Sequence, residues 1–291
     1  MISEAEKSGI QKLAEGSCTL CPHSCSKEQR KAQASFCGID SRPRIAGAVS
    51  GYAEERVITG IYGCGMLFLS GCNMRCVFCQ NYDINIEGKG EECSVEDLAE
   101  KMLELQNQRC QAINWVTPSH QVDFLIEAWK IAKGKGLETP IVYNCGGYES
   151  VDTLKKLEGI VDIYLPDFKF WDEELAFKYC GVRNYPEVAR AAIKEMHRQV
   201  GDLVLDYHGW ATRGLIVRHL VMPEDLGGSI EIFRWIANEI SRDTFVTIMM
   251  QYYPRYRASE FPELNRHITR EEYETTLTSA RTAGLNRINQ Q

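Results

Sequence analysis

Six short apolar runs, each followed by a stretch of helical periodicity, restrict this chain to a small set of folds. The runs are Met66–Ser70, Ala112–Thr117, Ile141–Cys145, Asp162–Leu165, Gly214–Val221 and Phe245–Met250. Their polarity is continuous rather than alternating, as expected of parallel strands buried on both faces. Between the first two, Ser94 followed three residues later by Asp97 reads as a capped helix start, and Val95, Leu98, Met102 and Leu105 then share one face. Val122, Leu125, Ile126 and Trp129 form a similar stripe, and Ile230, Phe233, Ala237 and Ile240 form another after Gly227-Gly228. Repeated strand–helix units build either an open doubly wound sheet or a barrel, and periodicity alone does not choose.

Directly after the first run comes S-G-C-N-M-R-C-V-F-C-Q-N, which places Cys72, Cys76 and Cys79 on one tight loop. A four-iron cluster takes a thiolate on each iron, so three cysteines leave one iron to bind something other than protein. Zinc also favours thiolates, but structural zinc wants four closed ligands. A second group, Cys18, Cys21, Cys25 and Cys37, lies upstream of every expected strand. Four thiolates are a closed set, suited to zinc or to a second iron–sulfur cluster, and His23 offers a substitute ligand.

The spacing Cys-x3-Cys-x2-Cys, with Phe78 before the last cysteine, resembles the signature of the radical S-adenosylmethionine (SAM) enzymes. The patterns Asp167-Phe168-Lys169 and Arg218-His219-Leu220-Val221-Met222-Pro223 resemble the activating enzymes of glycyl radical proteins, in particular the pyruvate formate-lyase-activating type. Over roughly residues 15–285, including 193–201 and 213–221, the chain is similar to an uncharacterised branch of that type.

The resemblance implies an α/β fold, a partial (β/α)6 TIM-like barrel with a small Cys-rich N-terminal extension. Residues 1–55 are then the metal-binding extension and 56–291 the barrel. It also implies a 4Fe-4S cluster on Cys72, Cys76 and Cys79, with SAM on the open iron, reductive cleavage of SAM and hydrogen abstraction from a substrate. Barrel chemistry collects at the C-terminal ends of strands. Candidate SAM contacts there are Thr117 and Ser119, which replace the Gly-Gly-Glu of many members, together with Asn144, Asp167, Lys169, Arg218 and Gln251. Gly146 and Gly147 would let a nucleoside approach the backbone. His120 reads as a helix-entry residue, His197 and Arg198 as packing groups, and Cys64 and Cys145 as cysteines near the expected cluster. No catalytic side chain is assigned.

The implied partners are SAM, an electron donor such as flavodoxin or ferredoxin, and a glycyl radical enzyme as one target. A small molecule or peptide is the alternative substrate, and a non-enzymatic iron–sulfur or zinc-binding protein the alternative of another class. A formal net charge of −7 argues against nucleic acid as the main partner. With no apolar stretch long enough to span a bilayer and no export signal at Met1–Lys7, a cytoplasmic location without membrane association is expected, where twelve cysteines serve metal or reactive roles rather than disulfides.

Overall fold

The computed structural model describes residues 17–26, 28–29, 35–39 and 42–290. The expected runs pair into one sheet. Among the described residues the strands are β1 (Arg44–Gly51), β2 (Cys64–Leu69), β3 (Glu91–Glu92), β4 (Ile113–Val116), β5 (Ile141–Cys145), β6 (Ile163–Pro166), β7 (Val204–Leu205), β8 (Ala211–Leu220), β9 (Phe245–Met249) and β10 (Arg287–Gln290). They lie in the order β10-β9-β8-β6-β5-β4-β2-β1-β3, with β7 beside β8. Every neighbouring pair from β2 through β10 on this path is parallel.

All six runs are strands, each within three residues of its expected bounds. Two further strands set the edges. β10 adds a seventh parallel strand, and β1 pairs antiparallel with β2 along its whole length, from Ile45 opposite Leu69 to Gly51 opposite Cys64. With β1 on the outer side of β2, that strand's edge is covered and the sheet does not close on β10. The result is an unclosed, barrel-like α/β sheet.

The helix at Val95–Asn107 begins on the capping box read from sequence. The Asp97 amide donates to Ser94 Oγ at 3.0 Å and the Ser94 amide to Asp97 Oδ2 at 2.8 Å. Leu98, Met102 and Leu105 are buried, with Val95 partly so. In Val122–Gly134 the buried face carries Val122, Phe124, Leu125, Ala128 and Ala132, so the stripe is rotated from the expected one and leaves Ile126 and Trp129 only partly covered. None of the described helices is long and apolar enough to cross a membrane.

Alternation along these buried strands separates two faces. Leu67, Leu69, Ile113, Trp115, Tyr143, Tyr164 and Val217 point into the large core beneath the helices. Cys64, Ala112, Val142, Ile163 and Ile216 belong to a smaller cluster on the opposite, interior face, plugged by Ile58. Two residues further along the same face stand Met66, Asn114, Asn144, Leu165 and Arg218. The interior thus passes from apolar to polar towards the C-terminal strand ends. Cys64 therefore sits at the wrong end of β2 to meet a cluster: it is fully buried and its thiol points at the Ala112 carbonyl, 3.4 Å away.

Candidate active site

At the C-terminal strand ends a cavity of about 360 Å³ opens, within the size range of small-molecule and cofactor sites. The loop after β2 supplies Cys72, Cys76, Cys79 and Met74 to one wall. Thr117, Asn144, Cys145, Gly146, Asp167, Lys169, Arg218 and Gln251 come from the ends of β4, β5, β6, β8 and β9. Six of the seven side chains expected to meet SAM thus share one space with the cysteine triplet. Ser119 is the exception. Its hydroxyl is fully buried and donates to Glu149 Oε1 at 2.5 Å, away from the cavity lining.

The cysteine loop is held on three sides. The Arg75 and Val77 amides donate to the carbonyls of Cys180 and Tyr179, both at 2.8 Å, at the end of the helix Glu173–Cys180. The Arg257 amide donates to the Val77 carbonyl at 2.9 Å, and Gln80 Nε2 to the Gln251 carbonyl at 3.2 Å. Asn73 Nδ2 donates to the Tyr148 carbonyl at 2.6 Å. Of the glycines expected to admit a nucleoside, Gly146 lines the cavity, and both also sit where the protein's own packing leaves no room for a side chain. A Cβ on Gly146 would lie 2.5 Å from Met74 Sδ, and one on Gly147, which has φ +82°, 2.5 Å from the Asp167 carbonyl oxygen.

Opposite the thiols lies an ion network. Asp167 bridges two cations, accepting from Arg218 Nε at 2.7 Å and from Lys169 Nζ at 2.5 Å. Arg218 also donates to Glu54 Oε2 at 3.1 Å and to Asn144 Oδ1 at 2.6 Å. The Asn114 and Asn144 amides hold Glu54 Oε1 at 2.9 and 3.2 Å. Arg218, Asp167 and Lys169 are each 15% exposed, and Glu54 11%. Although burial opposes ionisation of Asp167, the two cations hold its carboxyl below the usual range. Burial instead pushes Glu54 up, with Arg218 pulling against it. Each nitrogen of Arg218 makes one bond to protein, which uses three of its five N–H groups, and Lys169 uses one of three, so both cations have donors to spare.

Lys169 also acts across the cavity. Its positive charge favours the thiolate at Cys72, Cys76 and Cys79 but does not decide their ionisation. Against it, burial drives the Cys72 thiol far up and Cys79 to about 11, while a hydrogen bond from Cys180 draws Cys76 down. Among the described residues no three His, Cys, Asp or Glu side chains converge on a single-ion site.

Several residues sit elsewhere. His120 is buried, donates from Nε2 to the Ser70 carbonyl at 2.7 Å, and is held near pKa 4 by burial, which suits a packing role. Arg198 pairs with Glu158 and Glu195, and His197 with Asp202, outside the cavity. Of the N-terminal group, Cys21 is buried and the rest half-buried. The Cys18 amide bonds to the Cys25 carbonyl at 2.8 Å. The His23 ring is fixed by its Nε2, which donates to the Asn73 carbonyl at 2.9 Å, and by stacking on Phe36. Two residues of consequence carried no sequence signal. Glu54 lies between β1 and β2 outside any motif, and Cys180 looks like an ordinary buried cysteine until the fold sets it against Cys76.

Glu149, beneath the cysteine loop, is 2% exposed and accepts from Ser119 and from the Tyr143 hydroxyl at 2.8 Å. Burial raises its pKa to about 7 despite these bonds. The folded chain therefore holds a proton that the unfolded chain releases near pH 4.5. That contribution to stability is complete below pH 4.5 and fades as pH rises towards 7. Urea midpoints measured across pH 4.5–7 are expected to show this downward component, and Glu149→Gln to remove it. An identical pH slope in the two chains would contradict the assignment.

A parallel α/β sheet with three thiols on the loop after its first parallel strand, facing cations and carboxylates at the other strand ends, defines an enzyme class built for a thiolate-held cofactor. The chain belongs to the radical SAM superfamily, whose family model matches residues 66–209. It is 30% identical over 279 residues to an uncharacterised protein of Methanocaldococcus jannaschii, covering 93% of this chain and 76% of that one. A pyruvate formate-lyase-activating enzyme of Listeria monocytogenes is 32% identical over 184 residues, covering 60% of this chain and 70% of the relative. In fold it is like the FeFe-hydrogenase maturase HydG from Carboxydothermus hydrogenoformans, with a TM-score of 0.50 at 15% identity, spanning 99% of this chain and 65% of that one. Membership makes this chain an enzyme that uses a 4Fe-4S cluster, SAM and an electron donor.

Proposed function

We propose that Cys72, Cys76 and Cys79 hold the cluster and that SAM occupies the cavity between them and the ion network. The donor set fits: three thiols line one wall, and Cys180, although it touches Cys76, is fully buried outside the lining. When bound, the cluster supplies the electron that cleaves SAM to 5′-deoxyadenosine as a hydrogen atom is taken from the substrate. The protein's own residues position and shield. Lys169 pairs with the SAM carboxylate and Asp167 orients Lys169. Arg218, bonded to Asp167, Glu54 and Asn144 through three of its five N–H groups, fixes the network and keeps two donors at the cavity wall for the ligand. Thr117 and Asn144 offer hydroxyl and amide contacts to the amino acid end, and Gln251 to the nucleoside or substrate. The observation that carries this reading is that the three loop thiols and the Asp167–Lys169–Arg218 network line one cavity at the C-terminal strand ends.

Lys169→Met keeps much of the length and removes the charge. The loss of one charge-assisted hydrogen bond, about 1.5–3 kcal/mol, is expected to raise KM for SAM roughly 10- to 150-fold while iron content stays at the native value. A KM within twofold of native would remove Lys169 from the SAM site.

For the substrate we propose a glycine in a loop of a partner protein, as in activation of a glycyl radical enzyme. Support comes from the relatives named as pyruvate formate-lyase-activating enzymes and from the cavity rim. There Met250 is 54% exposed and Tyr253 36%, flanking Gln251 and offering apolar contact to a peptide. Co-incubation of the reduced, SAM-loaded enzyme with glycyl radical enzymes, monitored by paramagnetic resonance, tests it. A glycyl signal dependent on SAM is expected. Steady formation of 5′-deoxyadenosine with a small molecule or peptide, and no protein radical with any such partner, would replace this target.

A further inference from the structure

We infer that Cys180 is a positioning residue for the radical chemistry: its thiol donates a hydrogen bond to the sulfur of Cys76 and so raises the electron affinity of the cluster. The inference rests on the assignment of Cys76 as a ligand made above. Cys180 is the last residue of the helix Glu173–Cys180 and is fully buried, with its Sγ 3.3 Å from Cys76 Sγ.

Backbone geometry imposes this proximity. The amides on either side of Cys76, those of Arg75 and Val77, donate to the carbonyls of Cys180 and Tyr179. Gly181 then turns the chain away in the left-handed region, at φ 70°, which ends the helix at Cys180. The main chains of the two cysteines are thereby held adjacent, and the rotamers they adopt bring the sulfurs to 3.3 Å.

The direction of the bond follows from chemistry. A metal-bound thiolate carries no proton, so Cys76 can only accept. Cys180, enclosed by core residues such as Tyr179, Val182 and Tyr185, keeps its proton and has an S–H to give. Hydrogen bonds to cluster sulfurs are among the factors that set reduction potential. A donor favours the more negative, reduced state. Cys180 thereby eases delivery of the electron that the reaction consumes, without touching SAM or substrate.

The test is a redox titration of the reconstituted enzyme, read by the paramagnetic signal of the reduced cluster. Cys180→Ala and the near-isosteric Cys180→Val remove the donor, while Cys180→Ser replaces it with a hydroxyl. Both apolar variants are expected to be about tenfold harder to reduce, about 59 mV for one electron, with Cys180→Ser within twofold of native. Loss of iron from both apolar variants but not from Cys180→Ser would replace the inference with a role in retaining the cluster. Native midpoints in Cys180→Ala or Cys180→Val, an equal shift in all three variants, or loss of iron from all three would overturn it. Cys76→Ala separates the two assignments: a cluster signal that persists there removes Cys76 as a ligand and with it the premise, whereas its disappearance leaves the Cys180 variants to decide.

Discussion

A chain carrying Cys76→Ala, reconstituted anaerobically with iron and sulfide and then given dithionite and SAM, is expected to form no 5′-deoxyadenosine above the metal-free control. The native chain under the same conditions is expected to form it. This substitution isolates a ligand from a fold element. Cys76 is the middle cysteine of the loop, and its neighbours Arg75 and Val77 are fixed by backbone bonds to Cys180 and Tyr179 that an alanine at position 76 leaves in place. The loop therefore keeps its path, and far-ultraviolet circular dichroism should be unchanged. What disappears is one of three thiols, and a cluster left with two protein ligands has no stable seat. Native yields of 5′-deoxyadenosine from the variant would contradict the ligand assignment at its centre. A native chain that assembles a cluster yet never cleaves SAM would count against the proposed chemistry itself.

Arg218→Met is expected to destabilise the folded chain by about 3–5 kcal/mol, the usual consequence of removing one partner from a buried ion pair. The volume change is small, so the effect comes from charge. Without the guanidinium, Glu54 and Asp167 keep their places in the barrel interior with only Lys169 to offset them. Glu55 lies buried beside them. It is 1% exposed, and among the described residues neither of its carboxyl oxygens has a hydrogen-bond partner. Arg218→Lys retains the charge but not the planar fork that reaches two carboxylates and Asn144 at once, so an intermediate loss is expected. Guanidinium chloride unfolding with an unchanged slope measures both. A midpoint shift worth less than 1 kcal/mol in Arg218→Met would show that the network is not cohesive.

The parts of this molecule written in local pattern were legible. Continuous apolar runs located six parallel strands because both faces of each are covered, and Ser94 with Asp97 located a helix start because capping is decided within four residues. The thiol spacing and the residues after the fourth and fifth runs located the cavity, since strand ends are where a parallel sheet gathers side chains. What escaped depended on partners distant in sequence. β1, rich in glycine and half-exposed, becomes a strand only by pairing with β2. The four residues of β10 have too little apolar character to announce themselves. Ser119 looked equivalent to Thr117, but the short helical turn at Ser119–Gln121 rotates it towards Glu149. Glu54 and Cys180 gained their roles only when the interior face and the end of a helix brought them to Arg218 and Cys76.

The stretch after β9 has a mechanical consequence. Gln251 accepts from Gln80 and Arg257 donates to Val77, so the doorway of the chamber and the sulfur-bearing loop are laced together at two points. Outward travel of that doorway by more than about 1 Å would snap both laces. A bulky guest that pries it open therefore pulls on the same stretch of chain that carries the three thiols.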